Sequence, residues 1–446
     1  MKKILLIAAA VAAVLTSCKG KQQSPEVAHH PEWTYNSVIY EVNIRQYSPE
    51  GTFAGVEAQL PRLKKLGVDI LWLMPMYQIG TEGRKGTLGS YYAISDYCKV
   101  NPEFGTMEDF ESLLAAAHQL GFKVILDWVA NQTAPDHIWM TTKPAEFYER
   151  DSLGNATWEY DWTDTRSLNY DCKEVWAAQE ECMRFWLDKG VDGFRCDAAG
   201  EMPAEFWQRV MPGLNADYPD AYFLAEAERT NLADPDSCFD ATYAWELHHL
   251  LNDIAAGQKT FDELRAYLKR DAENYPETAF RMTFTSNHDE NSWQGTEFER
   301  MGDCANACEV LCFTLPKSQP LVYTGQEIGL SRRLQFFEKD PIEDWGSNDF
   351  TGFFKKLVWL KHNNPALDAG ERGGVYEEIP QNTDGVFSFK RTRGKNEVIV
   401  AVNLGTETAT VALPLKGKYT NLFSEEQLGD AYVSTLPAGG YLVLMK

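Results

Sequence analysis

Basic charge is what this sequence is short of. Against 65 Asp and Glu it sets 42 Lys and Arg, a net charge of -23 at neutral pH over 446 residues. Nucleic acid is recognised through a basic face, so it is excluded as a partner. No C-x-x-C pair occurs among the nine cysteines, which removes a zinc knuckle or a thioredoxin-type motif. Internal repeats and low-complexity tracts are also missing. What remains is 44% hydrophobic, 13% aromatic and 24% charged, the composition of a folded chain with ample core. Its length exceeds one ordinary domain, so two or three are expected.

Met1-Lys2-Lys3 followed by apolar Ile4 to Leu15 has the charged start and short hydrophobic core of a secretory signal, too short for a membrane span. Leu15-Thr16-Ser17-Cys18 resembles the bacterial lipobox, which implies cleavage before Cys18 and acylation of it. Residues 1–17 then form a lipoprotein signal peptide and 18–32 a polar tether. The expectation is an exported lipoprotein held by its lipid anchor in a membrane. Lys19 after Cys18 points to the outer membrane, with the face left open. Cys304, Cys308 and Cys312 fall on one helical face, where buried thiols are expected rather than disulfides.

Strand-like and helix-like runs alternate from about residue 38 to about residue 365. The candidate strands are Val38 to Ile44, Asp69 to Leu73, Lys123 to Val129, Gly193 to Asp197, Tyr222 to Glu226, Phe239 to Thr242, Arg281 to Ser286 and Pro320 to Thr324. Amphipathic segments such as Val56 to Leu66 and Met107 to Leu120 lie between them. Alternation predicts a parallel α/β sheet, and eight strands favour a closed (β/α)8 TIM barrel. The barrel is assigned to residues 33–131 and 172–370. Residues 132–171, aromatic and without a clear helix, form a loop subdomain after strand 3. From 371 to 446 short alternating runs predict a C-terminal antiparallel β-sandwich.

Three of the strand-like runs end in a carboxylate. Asp197 closes Gly193-Phe-Arg-Cys-Asp197, Glu226 closes Ala221-Tyr-Phe-Leu-Ala-Glu226, and Asp289 follows Arg281 to His288. A lone acidic residue is more often an ion pair or a helix cap than a catalyst, but recurrence at the C-terminal ends of barrel strands is where catalytic groups belong. Arg195 shares a strand face with Asp197 and is expected to keep it ionised. Glycosidic bond cleavage needs an acid and, for retention, a second carboxylate as nucleophile.

With those residues in place, the chain resembles the α-amylase family, family 13 of the glycoside hydrolases, over about residues 33 to 446. Asp127-Trp-Val-Ala-Asn131-Gln132, Gly193 to Asp197, Leu224-Ala-Glu226-Ala and Asn287-His288-Asp289 are similar to its four motifs in order. Tyr92 to Tyr97 and Leu321 to Glu327 resemble further family segments. The resemblance implies Asp197 as nucleophile, Glu226 as acid/base and Asp289 as transition-state stabiliser. It also implies a substrate-binding set of Tyr92, Asp127, Gln132, Arg195 and His288 around a bound glucose, with Asp127 pairing with Arg195 or shaping the pocket. Gln132 stands where histidine is usual, and Ala198-Ala199-Gly200-Glu201 lacks the Lys-His pair of many calcium-dependent members. Asn131 matches a family calcium ligand, but one ligand does not define a site, so no cofactor is required and calcium stays open.

The function expected on this basis is retaining hydrolysis of α-1,4-glucosidic bonds in starch, maltodextrins or maltooligosaccharides. The alternatives are an α-glucan transglycosylase, an α-1,6 or short-oligosaccharide glucosidase, and, further off, a non-catalytic glycan-binding lipoprotein. The last would have lost a catalytic carboxylate, and none is lost. Oligomeric state stays open.

Overall fold

In a computed structural model that describes residues 29–446, eight short parallel strands close into a barrel in chain order. They are β1 (Ile39–Val42), β2 (Ile70–Leu73), β3 (Lys123–Val129), β4 (Gly193–Asp197), β5 (Tyr222–Ala225), β6 (Ala241–Tyr243), β7 (Phe280–Thr283) and β8 (Ser318–Tyr323). β8 pairs with β1, setting Leu321 opposite Ile39, and so leaves no edge. The barrel, its outer helices and the C-terminal antiparallel strands agree with the fold read from the sequence. The signal peptide, Cys18 and most of the tether lie outside the described residues. His30, counted with that tether, is in fact buried at the barrel, bonding Asp240 through Nδ1 at 2.8 Å and stacking on Phe280.

Each strand is followed by chain that returns to the start of the next, most often through a helix. Phe53–Leu66, Met107–Gln119, Phe261–Asn274 and Asp349–Asn363 each begin at a Thr or Asn, namely Thr52, Thr106, Thr260 and Asn348, whose side chain accepts a hydrogen bond from a first-turn N–H. The first of them ends at Gly67, whose φ of 101° only glycine adopts without strain.

Alternation along the strands sorts the side chains. Ile39, Ile70, Trp72, Ile125, Tyr222, Leu224, Tyr243, Phe280, Met282 and Leu321 pack together as one apolar cluster inside the barrel. Tyr40, Val42, Leu71, Leu73, Val124, Leu126, Phe194 and Phe223 join the separate cluster under the helices. Continuing the inward parity by two residues carries Glu41, Asp127 and Arg195 to the C-terminal end of the barrel, where the apolar filling gives way to charge.

Residues 132–171 hold a short α-helix, Trp139–Thr142, a single 3-10 turn, Ala145–Phe147, and a two-residue pairing of Gln132–Thr133 with Arg166–Ser167. Beyond the barrel, strands Val386–Arg393, Asn396–Asn403 and Tyr441–Met445 form the centre of a six-stranded antiparallel sheet. Val398, Val400 and Val402 face the main core, while Ile399 and Ala401 pack on the two-stranded sheet Ala409–Leu413 with Tyr432–Leu436. Two packed sheets make the sandwich.

Candidate active site

The first requirement of the site is a glycine. Gly193 opens β4 at φ 140°, and a Cβ there would lie 1.8 Å from the Tyr222 carbonyl oxygen, so only glycine lets β4 run this close to β5. Close strands bring their ends together. β4 delivers Asp197, and Glu226 follows β5 directly, with its N–H bonded to the Cys196 carbonyl at 2.9 Å. After Asp197 the chain turns through Ala198 at φ 45°, a left-handed conformation that is uncommon for alanine. That turn aims the Ala198 N–H at Glu226 Oε2, 2.9 Å away.

Arg195 joins the carboxylates. Its Nη1 donates to Asp127 Oδ1 and to Asp197 Oδ1, both at 2.9 Å, its Nη2 to Glu226 Oε2 at 2.7 Å, and its Nε to the Tyr243 hydroxyl at 3.0 Å. The guanidinium lies over the Trp72 ring, 4.9 Å from its centroid. One positive charge therefore serves three carboxyls. Burial pushes the Asp197 carboxyl well up, and Glu226, Asp127 and Asp289 add to that against the pull of Arg195. Arg195 pulls the Asp197 carboxyl down as expected, but its charge is divided among three carboxyls.

The second half of the site is a hydrogen-bonded chain. His288 meets the buried Glu41 carboxylate through Nδ1, and through Nε2 the Tyr92 hydroxyl at 2.7 Å and Asp289 Oδ2 at 3.2 Å. Burial works against a charged imidazole here, but Asp289 and Glu41 outweigh it and hold His288 well above the usual histidine range. Burial likewise opposes the charge on Asp289, and His288 and Arg195 overcome it to hold that carboxyl low. Tyr92 donates its own hydroxyl proton to Asp127 Oδ2 at 3.0 Å, which also receives the Trp72 indole N–H at 3.2 Å. The two halves thus meet at Asp127.

A cavity of about 960 Å³ opens above this network, and Asp197, Glu226, Asp289, Tyr92 and Gln132 line it. Asp127, Arg195 and His288 are not among the lining residues, and Asp127 pairs with Arg195 as the sequence suggests. At 0%, 0% and 1% exposure they lie under the cavity floor and hold the residues that reach it. Gln132 is 3% exposed, and its side-chain oxygen is buried without a protein partner. Glu41 and Tyr243 belong to the floor but went unread in the sequence. Glu41 carried the signal that exposed Asp127, a lone carboxylate inside an apolar run, whereas Phe336 and Trp293 on the rim had no periodic pattern to mark them.

Asn131 donates its Nδ2 to Glu159 Oε2 at 3.1 Å. Among the described residues no group of three or more His, Cys, Asp and Glu side chains is arranged to hold a metal. One amide beside one carboxylate does not fit calcium, which takes roughly six to eight oxygens.

A closed barrel with three carboxylates at the C-terminal strand ends, two of them on one arginine, defines a glycoside hydrolase of the α-amylase type. The chain belongs to the α-amylase family, whose catalytic-domain model matches residues 22–364. It is 30% identical over 414 residues to the alpha-amylase MalA of Haloarcula japonica, covering 90% of this chain and 60% of that longer protein. With the oligo-1,6-glucosidase of Bacillus cereus it shares 33% identity over 539 residues, 88% of this chain and 94% of that one. The crystal structure of an alpha-amylase from Lactobacillus plantarum superposes with a TM-score of 0.81 at 32% identity, over 92% of this chain and 99% of that chain.

Proposed function

We propose that this protein hydrolyses α-1,4-glucosidic bonds in starch fragments, maltodextrins or maltooligosaccharides with retention of configuration. The observation that carries the reading is the shared guanidinium, which presents Asp197 and Glu226 to one cavity with one free oxygen each. Arg195 occupies Asp197 Oδ1, leaving Oδ2 to attack the anomeric carbon. Two N–H groups occupy Glu226 Oε2, leaving Oε1 to carry the proton given to the leaving oxygen. The bond from C1 to the leaving oxygen breaks as the bond to Asp197 forms. Glu226, now a carboxylate, then takes a proton from water, which attacks C1, releases Asp197 and restores the starting state. Asp289, held ionised by His288, stabilises the positive charge that develops on the sugar ring. This chemistry requires no cofactor.

The test is reducing-sugar release from soluble maltooligosaccharides, run beside Asp197→Asn and Glu226→Gln. Loss of at least about 100-fold in both variants is expected, the scale of a lost general acid or nucleophile. Turnover by Asp197→Asn at the parent rate would rule out the assignment. A second reading, cleavage of α-1,6 bonds in short oligosaccharides, is supported by the likeness to the oligo-1,6-glucosidase, and isomaltose and panose as substrates separate the two. For the chain's location we propose export and a lipid on Cys18. Its expected mark is accumulation of the uncleaved precursor when the lipoprotein signal peptidase is inhibited.

A further inference from the structure

The two ends of the cavity differ, and we infer that the closed one confines the enzyme to the non-reducing ends of its substrates. This exo-acting mode rests on the hydrolase reading above. The strand order fixes which end is which. Glu226 follows β5, the fifth of eight strands, so β1 lies across the barrel from it with β2 and β8 on either side. The chain leaving those three strands is tied into one wall. Arg45, after β1 and only 2% exposed, donates Nη1 to the carbonyls of Gly89 and Phe336, both at 3.0 Å, and Nη2 to that of Leu88 at 3.2 Å. The segment 84–89, reached from β2, bonds the segment after β8 three times, through Thr87 N–H to Glu338 Oε1 at 2.9 Å, the Thr87 hydroxyl to Glu338 Oε2, and Leu88 N–H to the Phe337 carbonyl at 3.1 Å. Gly86, at φ 60°, fits so closely that a Cβ would come within 2.5 Å of Phe337 Cβ.

The wall continues into the loop subdomain. Lys85 donates Nζ to the Asp161 carbonyl at 2.7 Å and lies 3.5 Å from Asp164 Oδ1, and all three residues line the cavity. Phe336 stacks beside Tyr92, ring to ring at 6.2 Å and 15°, so the wall begins directly behind that tyrosine. The Glu226 side is different. Gly200, Glu201, Arg229 and Trp245 line it, and among the described residues no hydrogen bond ties them to residues 158–165 or to Trp293.

Chemistry turns this asymmetry into a specificity. The leaving sugar departs toward its proton donor, Glu226, so the 4-hydroxyl of the donor sugar points away from Glu226 and at the wall. A glucan continuing beyond that hydroxyl would have to pass through the joined segments. Substrate therefore enters with its non-reducing end first, and the remainder of the chain extends out past Glu226.

Maltoheptaoside with a free non-reducing end and the same sugar capped there by a 4,6-ethylidene group separate the modes, with products resolved by chromatography. The expected result is cleavage of the free sugar and about 100-fold slower cleavage of the capped one, the scale of a substrate held off its productive position. Equal rates on the two would overturn the inference and leave the hydrolase reading standing. Cleavage of neither would overturn both. The double variant Lys85→Ala, Thr87→Ala loosens the wall, removing the Lys85 amine from Asp161 and Asp164 and the Thr87 hydroxyl from Glu338, without touching a carboxylate that acts on the sugar. It is expected to raise the capped-to-free rate ratio about tenfold, and an unchanged ratio would remove the wall as the cause.

Discussion

The two ends of the barrel bury positive charge in opposite ways. At the C-terminal end Arg195 is wholly buried among Asp127, Asp197 and Glu226, with more negative charge around it than it can neutralise. At the other end Lys361 and Arg391 are 1% exposed, yet their bonds go to carbonyls. Lys361 bonds those of Ser318 and Leu367, and Arg391 those of Thr314 and Gly374. The Lys361 amine is pushed down to about 7 by burial and by Arg391 beside it. Carbonyls anchor a cation in place without fixing its charge, whereas carboxylates fix the charge and are themselves tuned by it. The first arrangement suits a joint between barrel and sandwich, and the second suits chemistry.

Replacing Arg195 should separate the ends most sharply. Arg195→Met strands three carboxyls without a counter-charge, which predicts a loss of about 3–5 kcal/mol in stability by denaturant titration. Turnover should fall by at least about 100-fold with it. Arg195→Lys keeps a charge but cannot fork to three partners. With less to oppose burial and its neighbours, Asp197 should hold its proton to higher pH, and the acid limb of the kcat/KM profile should move up. A limb that stays in place would show that Arg195 does not set the ionisation of Asp197.

A smaller effect is expected from Tyr92→Phe, which keeps the ring but removes the hydroxyl between His288 and Asp127. The expected result is a fall in kcat of about tenfold with KM little changed, read from initial rates. At the far end, Lys361→Met should leave activity alone and alter only the pH dependence of stability. The native amine releases its proton near 7, whereas the unfolded chain keeps it to about 10.5. Between those values the unfolded chain binds more protons, so parental stability rises with pH across the window, and the penalty is fully present below about 7. The Met variant should lack that rise in urea titrations.

The barrel was legible because each strand is a short apolar run, and because a charged residue inside such a run, as at Asp127 and Arg195, marks the point where the interior ends. The catalytic carboxylates were legible for the same reason. What alternation could not convey was the third dimension. Arg195 reads beside Asp197 and within reach of Asp127, and only the closure of the barrel shows that Glu226 reaches it too from the neighbouring strand. Lys85, Thr87, Glu338 and Phe336 lie in loops without periodicity, over 200 residues apart in sequence across the wall they form, and nothing local announces that they meet. His30 was lost in the tether because its burial depends on Asp240 and Phe280, distant in the chain.

The charge around the floor also bears on inhibition. Glu41, Asp127, Asp197, Glu226 and Asp289 gather there, and among the described residues their ion-pair partners are Arg195 and His288. Protons bound by the cluster offset part of the excess, and the remainder is a standing demand for a cation at the place where the sugar ring becomes positive. A sugar mimic with a protonated nitrogen in its ring would meet that demand without reacting, whereas a sugar phosphate would be repelled from the same spot. A basic nitrogen, more than any added hydroxyl, is the feature to build into a ligand for this pocket.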